Sequence, residues 1–343
     1  MLMLGLKVLL SGIGSFMSNK ILITGATGFI GSHLTEYLVK KGFNVIAFDR
    51  YNSNNNWGWL EQSKYKNDFQ VILGDIRDYD SVSKAMMGCC AVFHLAALIG
   101  IPYSYVSPLA YIRTNIEGTY NVLEAAKNLK LEQILITSTS ETYGTAQYVP
   151  IDEKHPLVGQ SPYSASKIAA DQLAISYYKS FKLPVKLVRP FNTYGPRQSA
   201  RAIIPTIISQ LLNGKTEIEL GSLTPTRDLT FVKDTCAGFG EIYKSEPLFG
   251  EVTNIGMKAE ISIGELAKLI AGIMDVELSI KFTDERIRPE KSEVERLFCD
   301  NAKLLKHTLW KPNYSLEQGI AKVIEWMKKP ENLNYFKADK YNV

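Results

Sequence analysis

No stretch of this chain constrains its fold more than Lys20-Ile-Leu-Ile-Thr-Gly-Ala-Thr-Gly-Phe-Ile-Gly31. A run suited to a buried strand enters Gly25, Gly28 and Gly31, and the helical pattern Ser32 to Lys41 follows. A strand, a glycine turn and a helix present backbone N–H groups and the positive end of a helix dipole to a phosphate. Three glycines could also serve a tight turn that holds no ligand. The next elements separate the two readings. The apolar run Asn44-Val-Ile-Ala-Phe-Asp49 ends in an acid 24 residues after Gly25, where a carboxylate meets adenosine ribose hydroxyls. The pattern therefore reads as a dinucleotide site.

The order of elements predicts an α/β chain. Strands are expected at Gln70 to Asp75, Ala91 to Ala97, Gln133 to Thr137 and Val185 to Arg189, with helices at Pro108 to Leu129 and Pro162 to Phe181. Such alternation specifies a Rossmann-like, doubly wound parallel sheet. Ligands on such a sheet lie at the carboxyl ends of the strands, where the glycine turn, Asp49, Asp75, Ala96 and Thr139 all fall. After Pro190 the pattern loosens into Glu217 to Leu220, Ile263 to Met274 and Val276 to Phe282, which read as a smaller C-terminal α/β lobe. The expected division is residues 1–19 as an N-terminal extension and 20–190 as the dinucleotide-binding domain, to which 230–258 returns. Residues 191–229 and 259–343 then form the second lobe.

Lys7 to Phe16 imitates Lys20 to Phe29 but lacks the third glycine and the helix, so the first strand is placed at Lys20 and Met17 is read as a possible start. Tyr335 to Val343 is polar and expected to fray. A net charge of +4 over 343 residues gives no basic face for nucleic acid. No segment has the length and continuity of a membrane span. Cys89, Cys90, Cys236 and Cys299 form neither a zinc pattern nor a disulfide framework. No metal is expected, and the reading is a cytoplasmic protein.

Two clusters carry the chemistry. Tyr163-Ser-Ala-Ser-Lys167 sets a phenol and an ammonium one helical turn apart. A tyrosine at its ordinary pKa near 10 is a poor base at neutral pH, and a nearby lysine with a cationic nicotinamide would favour the phenolate. The same pair also occurs as plain surface residues. Thr137-Ser-Thr-Ser-Glu-Thr-Tyr-Gly144 is a hydroxyl-rich strand end with one carboxylate, Glu141. It reads either as a capped loop or as a base beside a sugar carbon, with Thr139 and Ser140 donating hydrogen bonds.

Thr24-Gly-x-x-Gly-Phe-Ile-Gly31, His94-Leu-Ala-Ala97, Tyr163-x-x-x-Lys167 and Arg189-Pro-Phe-Asn-Thr-Tyr-Gly-Pro-Arg197 resemble the extended short-chain dehydrogenases/reductases that act on nucleotide sugars. The resemblance runs from Lys20 to about Met327. It implies that Tyr163 takes the sugar 4-hydroxyl proton as hydride leaves C4, and that Lys167 binds the nicotinamide ribose and tunes Tyr163. The implied cofactor site comprises Gly25, Gly28, Phe29, Ile30, Gly31, Asp49, Asp75, Ile76, Leu95, Ala96 and Ala97, with Tyr163 and Lys167. Asp49 favours NAD over NADP, because a carboxylate repels a 2′-phosphate, although Arg50 could accommodate one.

Thr139-Ser140-Glu141 resembles the Thr-Asp-Glu or Thr-Ser-Glu of sugar 4,6-dehydratases, which implies C4 oxidation, removal of the C5 hydrogen by Glu141 with loss of the C6 hydroxyl, and hydride return to C6. Ser140 stands where others carry an acidic Asp, so Glu141 or a water held by Ser140 must supply the proton to the leaving group. Nucleotide-sugar 4-epimerases and decarboxylases are the rivals, and an NAD-sensing protein without activity is the rival from another class. Tyr51-Asn-Ser, Trp57-Gly-Trp-Leu60, Ile101 to Tyr105, Gly144 to Pro150 and Gly221 to Asp228 are similar to dehydratases of legionaminic-acid synthesis, which use nucleotide-linked N-acetylglucosamine. Arg288 to Glu295 is similar to a segment of GDP-mannose dehydratases and favours GDP over UDP. Asn192, Arg197, Arg201, Arg227 and Arg288 are the candidates for holding the nucleotide sugar, since guanidinium forks suit phosphates. Family likeness also implies a homodimer through a four-helix interface built from 108–129 and 162–181.

Overall fold

Residues 19–283 and 289–338 are described by a computed structural model of the chain. Strands β1 (Lys20–Thr24), β2 (Asn44–Arg50), β3 (Phe69–Gly74), β4 (Ala91–His94), β5 (Gln133–Thr137) and β6 (Val185–Pro190) belong to one seven-stranded sheet. Val252–Ile255 is the seventh strand and pairs with β6. The spatial order is Val252–Ile255, β6, β5, β4, β1, β2, β3, and every pairing is parallel. The order reverses between β1 and β4, and a crevice opens at such a switch point.

Strand sequences such as Ile-Leu-Ile lack polar alternation because both faces are covered. Ile21, Ile23 and Leu135 face the core shared with the Phe29–Lys40 and Val232–Lys244 helices. Leu22, Ile134 and Ile136 face the opposite core, under the Tyr79–Met86, Gly118–Asn128 and Pro162–Phe181 helices. The Pro162–Phe181 helix is set by Ser161, whose hydroxyl caps Ser164 N–H while Ser164 reaches back to Ser161 N–H.

Four boundaries differ from the sequence reading. The first helix begins at Phe29, directly after Gly28, not at Ser32. Strand β4 stops at His94, so Leu95 to Ala97 are loop. The expected Pro108 to Leu129 helix contains a π-helical turn, Ile112–Glu117, between α-helical pieces Pro108–Tyr111 and Gly118–Asn128. Such turns recur at functional sites, and this one carries Asn115. The tail does not fray at once: Tyr335 packs edge-on against Trp59 with ring centroids 4.8 Å apart, and Phe336 is buried. Leu229–Phe231 pairs with Asn192–Tyr194 in a small sheet of its own beside the main one. The N-terminal echo, residues 1–18, lies outside the described residues.

Candidate active site

The glycine turn is fixed by its neighbours. Gly25 has φ +72°, and a Cβ there would stand 2.8 Å from the Ala96 backbone, so only glycine lets the turn lie flush on the β4 loop. A Cβ on Gly31 would run into the Gly25 carbonyl oxygen. Gly28 differs: the nearest atom to its Cβ would be Gly25 O at 3.4 Å, an ordinary contact. Protein packing therefore does not require Gly28 to be bare. It caps the Phe29–Lys40 helix without a side-chain hydrogen bond, leaving first-turn amides such as those of Phe29 and Ile30 for an anion. Asp49 Oδ2 accepts from Thr27 N–H (2.7 Å) and from the Thr27 hydroxyl (2.6 Å), which holds the carboxylate beside the turn.

The β4 loop is oriented by a chain of hydroxyls through a buried imidazole. Thr119 Oγ1 donates to Asn115 O at 2.6 Å, so at His94 Nε2, 3.1 Å away, it accepts. Nδ1 then accepts from Thr24 Oγ1 at 2.7 Å, and Thr24 Oγ1 accepts from Ala96 N–H. Burial, with the Lys167 charge nearby, lowers His94 to about 3, so the ring stays neutral and this proton order holds. Asn115 completes the frame: Oδ1 accepts from Leu98 N–H, and Nδ2 donates to Leu98 O and Ser166 Oγ. The loop and the Tyr163 helix are thereby joined. Sequence reasoning passed over Asn115, and its one signal was a buried amide on a helix expected to be regular.

Tyr163 and Lys167 are both buried at the β5 end. Thr139 hydrogen-bonds the phenol and the Glu141 carboxylate acts on it electrostatically, so the three groups share one small space. Thr139 Oγ1 also caps the short Ser140–Tyr143 turn, and Ser140 is buried within it. The expectation that Lys167 lowers the phenol is not met in the protein alone. Lys167 Nζ donates to Thr137 O at 2.7 Å, and burial pushes Tyr163 above its ordinary value. Burial lowers Lys167, against the pull of Asp171. Tyr111 stands edge-on to Tyr163 with centroids 6.3 Å apart, and its hydroxyl donates to Gly100 O.

The other expected residues divide. Asp75 lies at the β3 end, where Arg77 grips it and holds its carboxyl below the usual range. The Ile76 side chain points into the core against Gly118, so only its backbone is left for the crevice. Leu95, Ala96 and Ala97 form the half-buried loop beside Gly25. Asn192 Oδ1 and Thr137 Oγ1 are buried without a protein partner, which marks them as ligand-facing. Arg201 lies against Gly100 and near Tyr111, at the mouth next to Tyr163. Arg227 is ion-paired with Glu293 at 3.0 Å. Arg197 Nη2 pairs with Glu36 of the first helix at 2.9 Å, and its Nη1 is buried without a protein partner. Arg288 lies outside the described residues. Among the described residues, no cluster of His, Cys, Asp or Glu could hold a metal ion, and no helix is long and apolar enough to cross a membrane.

A glycine turn at the switch point of this sheet, with a buried Tyr-x-x-x-Lys pair at the end of β5, is the arrangement of an extended short-chain dehydrogenase/reductase. Residues 22–323 match the family described as GDP-mannose 4,6 dehydratase, and the chain belongs to that family of nucleotide-sugar dehydratases, epimerases and decarboxylases. It is 34% identical to a dTDP-D-glucose 4,6-dehydratase of Dictyostelium discoideum, over 92% of this chain and 83% of the relative. The dTDP-glucose 4,6-dehydratase DesIV of Streptomyces venezuelae, solved with NAD and TYD bound, superposes with a TM-score of 0.84 at 27% identity, covering 93% of this chain and 99% of that one. The UDP-glucuronic acid 4-epimerase of Bacillus cereus, in complex with UDP-glucuronic acid and NAD, has a TM-score of 0.81 at 30% identity, covering 90% and 99%.

Proposed function

We propose that this protein is an NAD-dependent nucleotide-sugar 4,6-dehydratase, a hydro-lyase that converts GDP-N-acetylglucosamine to its 4-keto-6-deoxy product early in legionaminic-acid synthesis. The observation that carries the reading is Glu141, set by the Thr139-capped turn within electrostatic reach of the Tyr163 phenol. A 4-epimerase needs a base at the 4-hydroxyl but no second carboxylate beside C5. The donor and pathway rest on the segments similar to legionaminic-acid dehydratases and GDP-mannose dehydratases.

The turn fits NAD. Gly28 is bare where packing does not demand it, the first helical amides lack a side-chain cap, and Asp49 stands beside the turn to meet a ribose with a free 2′-hydroxyl. Held by the turn and Asp49, NAD⁺ would supply a hydride acceptor that also gives hydride back, and a positive charge that favours the phenolate. Tyr163 then takes the 4-hydroxyl proton at its phenolate oxygen. Lys167, fixed on Thr137 O, keeps its remaining N–H groups for the nicotinamide ribose. Oxidation at C4 acidifies the C5 hydrogen, which the Glu141 carboxylate removes as a proton. Glu141 hands that proton to the departing C6 hydroxyl, so one water leaves and the carboxylate is restored. Once C6 has regained hydride, Tyr163 gives its proton back at O4 and tautomerisation places a proton on C5, which restores the phenolate. Ser140 is too weak an acid for that donation. Asn192, Arg201 and Arg227 would hold the nucleotide sugar.

Ser140 supplies no acid for the leaving hydroxyl, which keeps a nucleotide-sugar 4-epimerase or decarboxylase as the second reading. Incubation with GDP- and UDP-N-acetylglucosamine, without reductant, separates the readings by mass spectrometry. The dehydratase loses the mass of one water with no net NADH, and the faster donor names the nucleotide. An unchanged mass with a new epimer overturns the dehydratase. The proposed homodimer would bury Leu109, Ile112, Tyr120 and Phe181, all exposed on the two long helical segments; sedimentation at micromolar concentration tests it.

A further inference from the structure

Behind Lys167 lies a buried ion group to which the reaction scheme gives no task. Asp171 is one helical turn beyond Lys167, on the same face. Its Oδ2 accepts from Arg189 Nη2 at 2.8 Å and from the Ser138 hydroxyl, while Arg189 Nε donates to Ser138 Oγ at 3.1 Å. The side chains of Arg189 and Asp171 are 2% and 1% exposed. Asp171 Oδ1 is buried and has no hydrogen-bond partner in the protein. Arg189 is held from its other side by the Tyr143 ring, 4.5 Å from the guanidinium carbon, and the Tyr143 hydroxyl is fixed by Asn254.

The charges decide what this group can do. Arg189 and Asp171 balance one another, and Lys167 adds one positive charge in a space closed to water. A buried lysine tends to shed its proton. The ionisable groups around it are few: His94 is neutral, Tyr163 is protonated in the protein alone, and Glu141 faces the phenol. Among the described residues, Asp171, four positions along the same helix face, is the one acid that acts on Lys167 and favours its charged form. Pinning by Arg189 and Ser138 leaves the second carboxylate oxygen uncommitted and fixes where its charge sits.

We infer that Asp171, clamped by Arg189 and Ser138, is a positioning residue whose fixed charge keeps Lys167 protonated, so that the positive charge Tyr163 needs is present before the sugar arrives. The inference rests on the reading that Lys167 serves Tyr163, but its test does not depend on which sugar is turned over. The direct influence of Asp171 on Tyr163 runs the other way, since a carboxylate disfavours a phenolate. Opposite signs make the two routes separable.

Lys167 can be titrated by NMR in full-length, NAD-loaded protein carrying [ε-¹³C]lysine, with its signal assigned from Lys167→Arg. In Asp171→Asn the Lys167 midpoint should fall by about one pH unit or more, roughly tenfold in its ionisation constant, and Asp171→Glu should restore it. Asp171→Asn/Arg189→Gln removes both members of the pair, leaves no lone buried charge, and should show the same fall if the single variant does not fold. An unchanged midpoint in any folded variant lacking the Asp171 carboxylate overturns the inference. Where turnover is followed, the acidic limb of the kcat profile should move to higher pH in Asp171→Asn. A move to lower pH, the direct electrostatic effect, also overturns it.

Discussion

The glycine turn and the segments expected to form the second lobe, which bear Arg197 and Arg227, are built by different means. The turn is made of backbone: Gly25, Gly28 and Gly31 lie within seven residues, and neighbours leave no room for a Cβ at Gly25 or Gly31. The lobe is made of paired charges brought from afar. Arg197 finds Glu36 across 161 positions, Arg227 finds Glu293 across 66, and Asp228 accepts backbone N–H groups from Met257, Ala259 and Cys299. Shape sets the site on one side and exchangeable ion pairs set it on the other. If Arg227 holds the nucleotide sugar as proposed, it must first let go of Glu293.

The seam between them should give the largest effect. Tyr163→Phe is expected to lower turnover by about 10²- to 10⁴-fold, the scale of a lost general base, with NAD content by absorbance unchanged. Loss of NAD together with activity would return Tyr163 to the cradle. On the cradle side, Gly31→Ala should cost about 1–3 kcal/mol in urea unfolding, as overpacking does. Gly28→Ala should cost under about 1 kcal/mol while weakening NAD binding by calorimetry about tenfold, about 1.4 kcal/mol. Equal destabilisation by both would erase the distinction drawn between the two glycines.

On the lobe side, pH offers a probe. Burial raises Asp228 from 3.8 to about 6, against its backbone hydrogen bonds. Its folded pKa exceeds its unfolded value, so its contribution is fully present below pH 3.8 and is lost as pH rises through about 6. Asp228→Asn should therefore flatten the stability profile between those values, by about 3 kcal/mol at most. An unchanged slope in urea unfolding at stepped pH would remove Asp228 from the account. The smallest effect is expected from Glu293→Gln, which frees Arg227. The KM for the nucleotide sugar should fall about two- to fivefold, about 0.4–1 kcal/mol, with kcat unchanged. A raised KM would mean that Glu293 orients Arg227 instead of competing for it.

Local spacing made the cradle legible. Three glycines after an apolar run, an acid at the next strand end and Tyr163 four residues before Lys167 all act within one or two turns of chain. Strands written Ile-Leu-Ile and Val-Ile-Ala-Phe announced a sheet covered on both faces. The same reading missed Asn115, because a π-helical turn leaves no local pattern. Nor could it foresee that Arg197 pairs with Glu36 and Arg227 with Glu293, since a guanidinium's partner is set by whichever acid the fold brings close.

Sequence by itself determined the parallel sheet, the turn at its switch point and the identity of the phenol, ammonium and carboxylate, because those follow from periodicity and short-range spacing. Only the tertiary structure decided how they are charged and aimed. Burial raised Tyr163, Thr137 O took a hydrogen bond from Lys167, and Arg189 met Asp171. Desolvation and long-range pairing depend on what surrounds a group in space, and a linear sequence does not specify that until it folds.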